Sequence, residues 1–237
     1  MNYLSIALIC MLAGLVQGLS GFGAGIVMML VLPSLFSLTK AAGICGAIGI
    51  FANISLLVRY HKYCNFKLIL WPAIFYQAAS AICIYYSTIV DQSLMKKFFG
   101  GFLILLSIYY LFLAKGETKK LSLPVSVAFW IFSGVCNGFF SIGGPLMVIY
   151  YLGQTDSKEE YFGTIQVLFL INSVFATVMR CINHILAPAD LPFIAIGIVC
   201  ILAAGVLAAK LADKMNQNVF KKVVYAFIGI SGILNLF

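Results

Sequence analysis

The chain has 237 residues, of which 63% are hydrophobic, 14% aromatic and 9% charged, and its formal net charge at pH 7 is +8. Soluble domains carry about 25% charged residues, so the composition excludes a soluble catalytic domain, a nucleotide-binding domain and a disordered regulatory tail. It predicts an all-α polytopic protein whose solvent is the lipid bilayer. The basic residues lie between apolar runs, where they mark topology and face lipid headgroups, so no nucleic acid is predicted as a partner.

Eight apolar runs follow one another along the chain, and six of them have the length of one tilted membrane helix, about 20 residues. The first and the fifth run are too long for one helix, and a glycine cluster interrupts each. The runs span residues 3–36, 41–58, 68–90, 98–114, 124–151, 162–183, 191–209 and 219–237.

The first run has no basic residue before Lys40, so it lacks the charged start of a cleaved signal peptide and is expected to stay in the membrane. Its interruption, GLVQGLSGFGAG (Gly14 to Gly25), predicts a returning half-helix that starts near residues 23–26. The fifth run contains GVCNGFFSIGGP (Gly134 to Pro145), in which the proline suits the first turn of a second half-helix.

The two interruptions belong to an internal repeat. A shift of 120 residues lays Gly14 on Gly134, Gln17 on Asn137, Gly18 on Gly138, Gly23 on Gly143, Gly43 on Gly163 and Pro72 on Pro192. A shift of 119 lays Asn53 on Asn172. We therefore predict two transmembrane repeats of four segments each, residues 1–120 and 121–237, within one integral membrane domain.

The distribution of basic residues predicts how these segments cross the membrane. If all eight segments cross, the basic residues divide 8 to 7 between the two sides. If the first and fifth are re-entrant hairpins, they divide 11 to 4, which the positive-inside rule favours. Each half is then a hairpin plus three crossings, so the two repeats are inverted, as in many secondary transporters, and both termini are predicted outside.

A helix that starts at membrane depth presents free backbone N–H groups and a positive dipole end, which attract anions. One such start in each half predicts a site for a small anion, between residues 21–26 and 143–146, without a formal charge. Helix packing through small residues is the alternative interpretation of these glycines. The candidate substrate-binding residues are Gln17, Gly18, Ser20, Gly21, Gly23, Asn53, Asn137, Gly138, Ser141, Gly143, Gly144, Pro145, Gln166 and Asn172.

Other chemistry-bearing residues point away from a cation carrier and from an enzyme. All seven acidic residues lie in loops or at segment ends, so the core lacks the carboxylates of proton relays and cation paths. The seven cysteines are isolated, and without a metal cluster or catalytic base we predict neither a metal site, a cofactor nor catalysis. Arg180 is expected to extend its charge to the membrane interface, with a role as an anion-attracting gate as the alternative.

The interruptions resemble those of the TauE/SafE family of sulfite and organosulfonate exporter-like membrane proteins. The match is carried by GLxxGLSGFGAG, by GxxNGFFSIGGP and by Tyr161-Phe162-Gly163-Thr164, whereas Gly23-Ala24-Gly25 replaces a run of three glycines found in many members. The resemblance implies a multi-pass protein of the prokaryotic inner membrane that transports a sulfur oxyanion or organosulfonate.

We combine this with the inverted repeats and predict a secondary transporter that works by alternating access. A passive anion channel and a structural subunit are the alternatives. The sequence selects neither Na⁺ nor H⁺ as the coupling ion, and it specifies no direction of transport and no oligomeric state.

Overall fold

The computed structural model describes residues 2–91, 93–95, 97, 98, 101 and 120–214, and within these ranges the chain is helical without β-strands. The predicted segments 98–114 and 219–237 lie outside the described residues, apart from residues 98 and 101. The described α-helices with defined bounds are α1 (Asn2–Ser20), α2 (Ala24–Leu35), α3 (Leu38–Tyr60), α4 (Leu70–Tyr86), α5 (Leu123–Phe140), α6 (Gly144–Gln154), α7 (Lys158–Ile182) and α8 (Leu191–Asp213).

The long helices confirm the prediction of an all-α, multi-pass membrane protein. Six of the described helical segments, which contain α1, α3, α4, α5, α7 and α8, are long and apolar enough to cross a membrane. Helices α2 and α6 have only 12 and 11 residues, fewer than the roughly 20 that a full crossing needs. Each over-long run of the sequence is thus a long helix followed by a short one.

The backbone breaks between long and short helices have different local causes. In the first break, Gly21 and Gly23 adopt φ angles of 81° and 94°, a region that costs residues with a side chain about 1–2 kcal/mol. In the second break, Ser141 takes the left-handed conformation with φ 56°, and Gly143 has an ordinary φ of −95°. Helix α6 begins at Gly144 with Pro145 in its first turn, which confirms the predicted start.

After each break the chain turns back along the helix that it has just left. The Sγ atom of Cys10 on α1 lies 3.8 Å from the Sδ atom of Met28 on α2, whereas an uninterrupted helix would separate these residues by about 27 Å. In the other half, the rings of Trp130 on α5 and Tyr150 on α6 are 5.4 Å apart. Both breaks therefore form helical hairpins.

The two halves interlock through close helix contacts. Helix α3 packs on α7 at the centre, while α1 packs on α8 and α4 packs on α5. Gly14 lies against the backbone of Ile201, and Gly134 lies against the backbone of Tyr76, so that a side chain at either glycine would overlap its neighbour. These two glycines match the packing interpretation, because small residues let helix backbones approach closely.

The central helices α3 and α7 each begin directly after a serine that caps the helix, a few residues before the apolar run starts. The side chain of Ser37 accepts a hydrogen bond from the Lys40 N–H, and that of Ser157 accepts one from the Glu160 N–H. Such caps satisfy backbone donors that a helix start leaves without partners. Consequently α3 and α7 each start a few residues before the predicted segments 41–58 and 162–183.

Candidate functional site

A cavity of about 70 Å³ lies where the two hairpin breaks meet. One wall is formed by residues 22–26 and another by residues 141–145, so the N-termini of both short helices border the same space. The volume is enough for about five water molecules, or for one anion of a few heavy atoms. The remaining lining residues are Gln17, Met28, Cys45, Gly46, Gly49, Asn53, Tyr76, Asn137, Phe169, Asn172, Ser173, Ala176 and Arg180.

A glycine, which has no side chain that could cap the helix, precedes each of the short helices. Gly23 precedes α2 and Gly143 precedes α6, and neither forms a side-chain cap. The first backbone N–H groups of a helix have no intrahelical acceptors, and the dipole adds partial positive charge at the same end. One of these donors, the N–H of Ala24, is bound by Gln17 Oε1 at 3.3 Å. The two starts thus each contribute partial positive charge to the cavity wall.

A chain of buried amides crosses the cavity wall from α1 to α7. Gln17 Nε2 donates to Asn53 Oδ1 at 2.8 Å, and Asn53 Nδ2 donates to Ser173 Oγ at 3.1 Å. Since Gln17 also holds the start of α2, this chain connects the first hairpin to both central helices. Its amide groups are buried, with Gln17 and Asn53 only 6% and 4% exposed.

The second hairpin is held by different contacts. Asn137 Nδ2 donates to Ser80 Oγ on α4 at 3.1 Å, and Ser141 Oγ donates to the carbonyl of Ala42 on α3 at 2.7 Å. Asn172 also borders the cavity and is 3% exposed. Among the residues that the structure describes, its Oδ1 atom has no hydrogen-bond partner.

The structure corrects the prediction for Arg180. Its side chain does not reach an interface: the residue is 1% exposed and lines the cavity. Its Nη2 donates to the carbonyls of Asn137 and Gly138 at 3.1 and 3.0 Å. These carbonyls belong to the last turn of α5, where the dipole end is negative, so they attract a cation inward. The Asn137 carbonyl also accepts a hydrogen bond from the Ser141 N–H. The cavity at the two breaks therefore contains one formal positive charge, whereas the sequence predicts a site without any.

Nine of the fourteen predicted site residues line the cavity, and five lie beside it. The nine are Gln17, Gly23, Asn53, Asn137, Ser141, Gly143, Gly144, Pro145 and Asn172. The other five are Gly18, Ser20, Gly21, Gly138 and Gln166.

The five outlying residues shape the breaks. Gly18 borders a smaller cavity against α8, and Gly138 packs against Ser80 and Cys83 of α4. Ser20 Oγ donates to nearby carbonyls of its own hairpin. Gln166 Nε2 donates to the Gly21 carbonyl and thereby holds the first break against α7. These contacts hold the backbone next to the cavity in place, and substrate binding by the five residues stays a prediction.

Sequence reasoning missed three kinds of cavity residue. The glycines Gly46 and Gly49 stand one turn apart on α3 and keep its wall open, and their spacing was a readable signal. Tyr76, 1% exposed, reaches the cavity from α4. Arg180 is expected at the membrane interface from the sequence, whereas the structure places it in the cavity wall. The local sequence does not predict that Tyr76 and Arg180 line the cavity, since their positions depend on which helices pack together.

The comparison with protein families gives a match over nearly the whole chain. Residues 6–234 match the family model described as sulfite exporter TauE/SafE. No curated protein and no solved structure matches the chain. The matched range contains both hairpins, the central helices and every residue that lines the cavity.

Proposed function

The chain belongs to the TauE/SafE sulfite exporter family, and from this premise we propose that it is a secondary transporter of a small anion. The substrate is a sulfur oxyanion or a small organosulfonate, and transport involves no covalent step. The observation that carries the proposal is the meeting of both helix breaks, one from each half, at a single cavity. Helix N-termini at membrane depth are the means by which such transporters bind anionic groups.

The proposed binding site consists of the backbone donors of α2 and α6 and of the amide side chains around them. Oxyanions need hydrogen-bond donors that are already oriented, because reorienting them during binding costs free energy. The buried chain from Gln17 through Asn53 to Ser173 and the bond from Asn137 to Ser80 provide such fixed positions. Because Gln17, Asn53 and Asn137 are buried, each of these donors interacts more strongly with charge than it would in solvent.

We also propose that the two halves are inverted repeats that alternate in opening the cavity. Contacts come in pairs about 120 residues apart, which supports this relation: Gly43 packs against Leu186, and Gly163 packs against the Tyr60–Cys64 segment. The packing of α1 on α8 has a counterpart in that of α4 on α5. Burial removes Arg180 from the loop charges, so the predicted division of basic residues becomes 11 to 3.

Two polar contacts have the placement expected of gates. Lys40 Nζ lies 3.2 Å from Asp190 Oδ1 and joins α3 to the segment before α8. Asn65 Nδ2 donates to Glu160 Oε1 at 2.9 Å and joins the segment before α4 to α7. In the proposed inverted topology, with both termini outside a prokaryotic inner membrane, these contacts lie on opposite sides. Breaking them in turn would open the cavity alternately.

Transport by the purified chain in proteoliposomes tests the function. We expect saturable uptake of hydrogen sulfite or methanesulfonate, and trans-acceleration by unlabelled substrate inside the vesicles. Imposed Na⁺ and H⁺ gradients, applied separately, identify the coupling ion. Unitary currents without trans-acceleration would instead indicate a passive channel, and vesicles without any anion flux would refute the proposal.

A further inference from the structure

The cavity wall contains a buried positive charge without a counter-ion among the described residues. Arg180 is 1% exposed, and its hydrogen-bond acceptors among the described residues are two neutral backbone carbonyls, those of Asn137 and Gly138. Arginine is always protonated in proteins, and an unpaired charge is costly to bury. Such an arrangement is stable when a mobile anion completes it.

The guanidinium keeps a donor for that anion. Nη2 is occupied by the two carbonyls of α5, but Nη1 is buried and has no hydrogen-bond partner in the described part of the chain. Gly46 lies beside Nη1 on α3, where a side chain would come within 3.1 Å of it. The missing side chain leaves room beside this nitrogen in the cavity wall that both residues form.

We propose that Arg180 binds the substrate directly and that the site selects singly charged oxyanions, such as hydrogen sulfite and small sulfonates, over doubly charged ones. This inference rests on the proposed transport function and specifies its substrate class. The guanidinium is the one full charge that lines the described cavity, and the partial positive charges at the starts of α2 and α6 are opposed by the negative ends of α1 and α5 at the same breaks. One guanidinium therefore neutralises one negative charge, whereas a dianion would leave an uncompensated charge in a cavity of low dielectric constant.

Among the described residues around Arg180, no group changes its charge near neutral pH, so the cavity keeps a single positive charge. Its titratable neighbours are the thiol of Cys45 on α3 and the phenol of Tyr76 on α4, and both types of side chain are uncharged there. The facing groups on α5 are backbone carbonyls. No aspartate, glutamate or further basic residue lines the described cavity, so the pH dependence of transport follows the substrate's own charge.

Uptake of paired substrates into proteoliposomes tests the charge rule on the unmodified protein. We expect methanesulfonate, a monoanion, to be transported at least about tenfold faster than sulfate, a dianion, a ratio that corresponds to about 1.4 kcal/mol. Raising the pH through neutrality converts hydrogen sulfite to sulfite and should lower sulfite uptake. Methanesulfonate keeps its charge over this range, so its uptake should stay constant. Equal transport of sulfate and methanesulfonate would overturn the inference.

Variants test whether Arg180 is the residue responsible. Arg180→Gln should abolish methanesulfonate uptake and the preference for monoanions, whereas Arg180→Lys should be slower but keep the preference. Arg59→Gln makes the same change at an exposed arginine outside the cavity and should leave both properties unaltered. Arg180→Gln that transports methanesulfonate with wild-type selectivity would overturn the role of Arg180 and leave the transport function standing.

A binding measurement separates failure of the inference from failure of transport. Methanesulfonate should raise the Tm of the purified wild-type protein in detergent, and this shift should be lost in Arg180→Gln but kept in Arg59→Gln. Binding of this kind without any flux would retain the anion site and refute the transporter. Absence of both flux and a Tm shift would refute both. If Arg180→Gln does not fold, the inference is tested by uptake in Arg180→Lys and by the comparison of methanesulfonate with sulfate in the unmodified protein.

Discussion

At the scale of single residues, neighbouring glycines in the breaks meet different constraints. A methyl group at Gly143 would overlap the Tyr76 hydroxyl and come within 2.7 Å of the Ser133 carbonyl. At Gly144, the next residue, the nearest atoms belong to Phe22 and lie 3.5 Å away, which is ordinary contact. The two glycines of the GGP motif therefore differ: Gly143 has no room for a side chain, whereas Gly144 has room for a methyl group.

We expect Gly143→Ala to lower the free energy of unfolding by about 1–3 kcal/mol, since the added methyl group has to displace buried backbone and Tyr76. It should also reduce anion uptake, because the same displacement moves the start of α6. Gly144→Ala is the matched control and should change both quantities little. Thermal unfolding in detergent and proteoliposome uptake measure the two effects, and a stable, active Gly143→Ala protein would contradict the geometry.

The first break is constrained by backbone conformation. Gly23 has a φ of 94°, so Gly23→Ala should destabilise the protein by about 1–2 kcal/mol through strain. Ser141→Gly, in the equivalent left-handed region of the second break, relieves strain but loses the hydrogen bond to Ala42. We therefore expect a clear decrease in Tm for Gly23→Ala and a smaller change for Ser141→Gly. A larger decrease for Ser141→Gly would show that the hydrogen bond outweighs backbone strain.

At the scale of helices, the hairpins depend on polar contacts to elements distant in sequence. Asn53 on α3 accepts from Gln17 on α1 and donates to Ser173 on α7, so one side chain joins three helices at the cavity. The break of α1 therefore has a fixed place only because α3 and α7 pack beside it. This explains how a short helix of 12 residues keeps a defined start within the helix bundle.

A carboxylate at this junction tests the electrostatics of the cavity. Asn53→Asp keeps the shape of the side chain but places a negative charge in the wall, so we expect anion uptake to fall by about tenfold or more. The Gln17 amide can still donate to the carboxylate, and the Ser173 hydroxyl can turn to donate as well. Asn183→Asp, after α7 and away from the cavity, is the control. Unchanged uptake by Asn53→Asp would place the anion path elsewhere.

At the scale of the whole molecule, the hairpins decide how the linkers are distributed across the membrane. If both hairpins are re-entrant, the linker between α3 and α4 and the linker between α7 and α8 lie on opposite sides. If all segments cross, the two linkers lie on the same side. The exposed residues Lys62 and Ala189 lie in the 3₁₀ turns of these linkers, so their accessibility distinguishes the two topologies.

Cysteine labelling makes this distinction in intact cells. In a background with the exposed Cys181 replaced by serine, we expect Ala189→Cys to react with a membrane-impermeant maleimide from outside. Lys62→Cys should react only after the membrane is permeabilised. Labelling of both positions from the same side would reject the inverted repeats and, with them, the proposed alternating access.

The sequence by itself determined the features that depend on local chemistry and composition. The scarcity of charge predicted a helical membrane protein, and the glycines and Pro145 predicted where the long runs break, because backbone conformation and helix initiation are decided within a few residues. The tertiary structure decided which of these residues share a cavity and which pack against helices. It also placed Arg180 inside, because the acceptors that hold its charge come from the end of α5, more than 40 residues away in the chain.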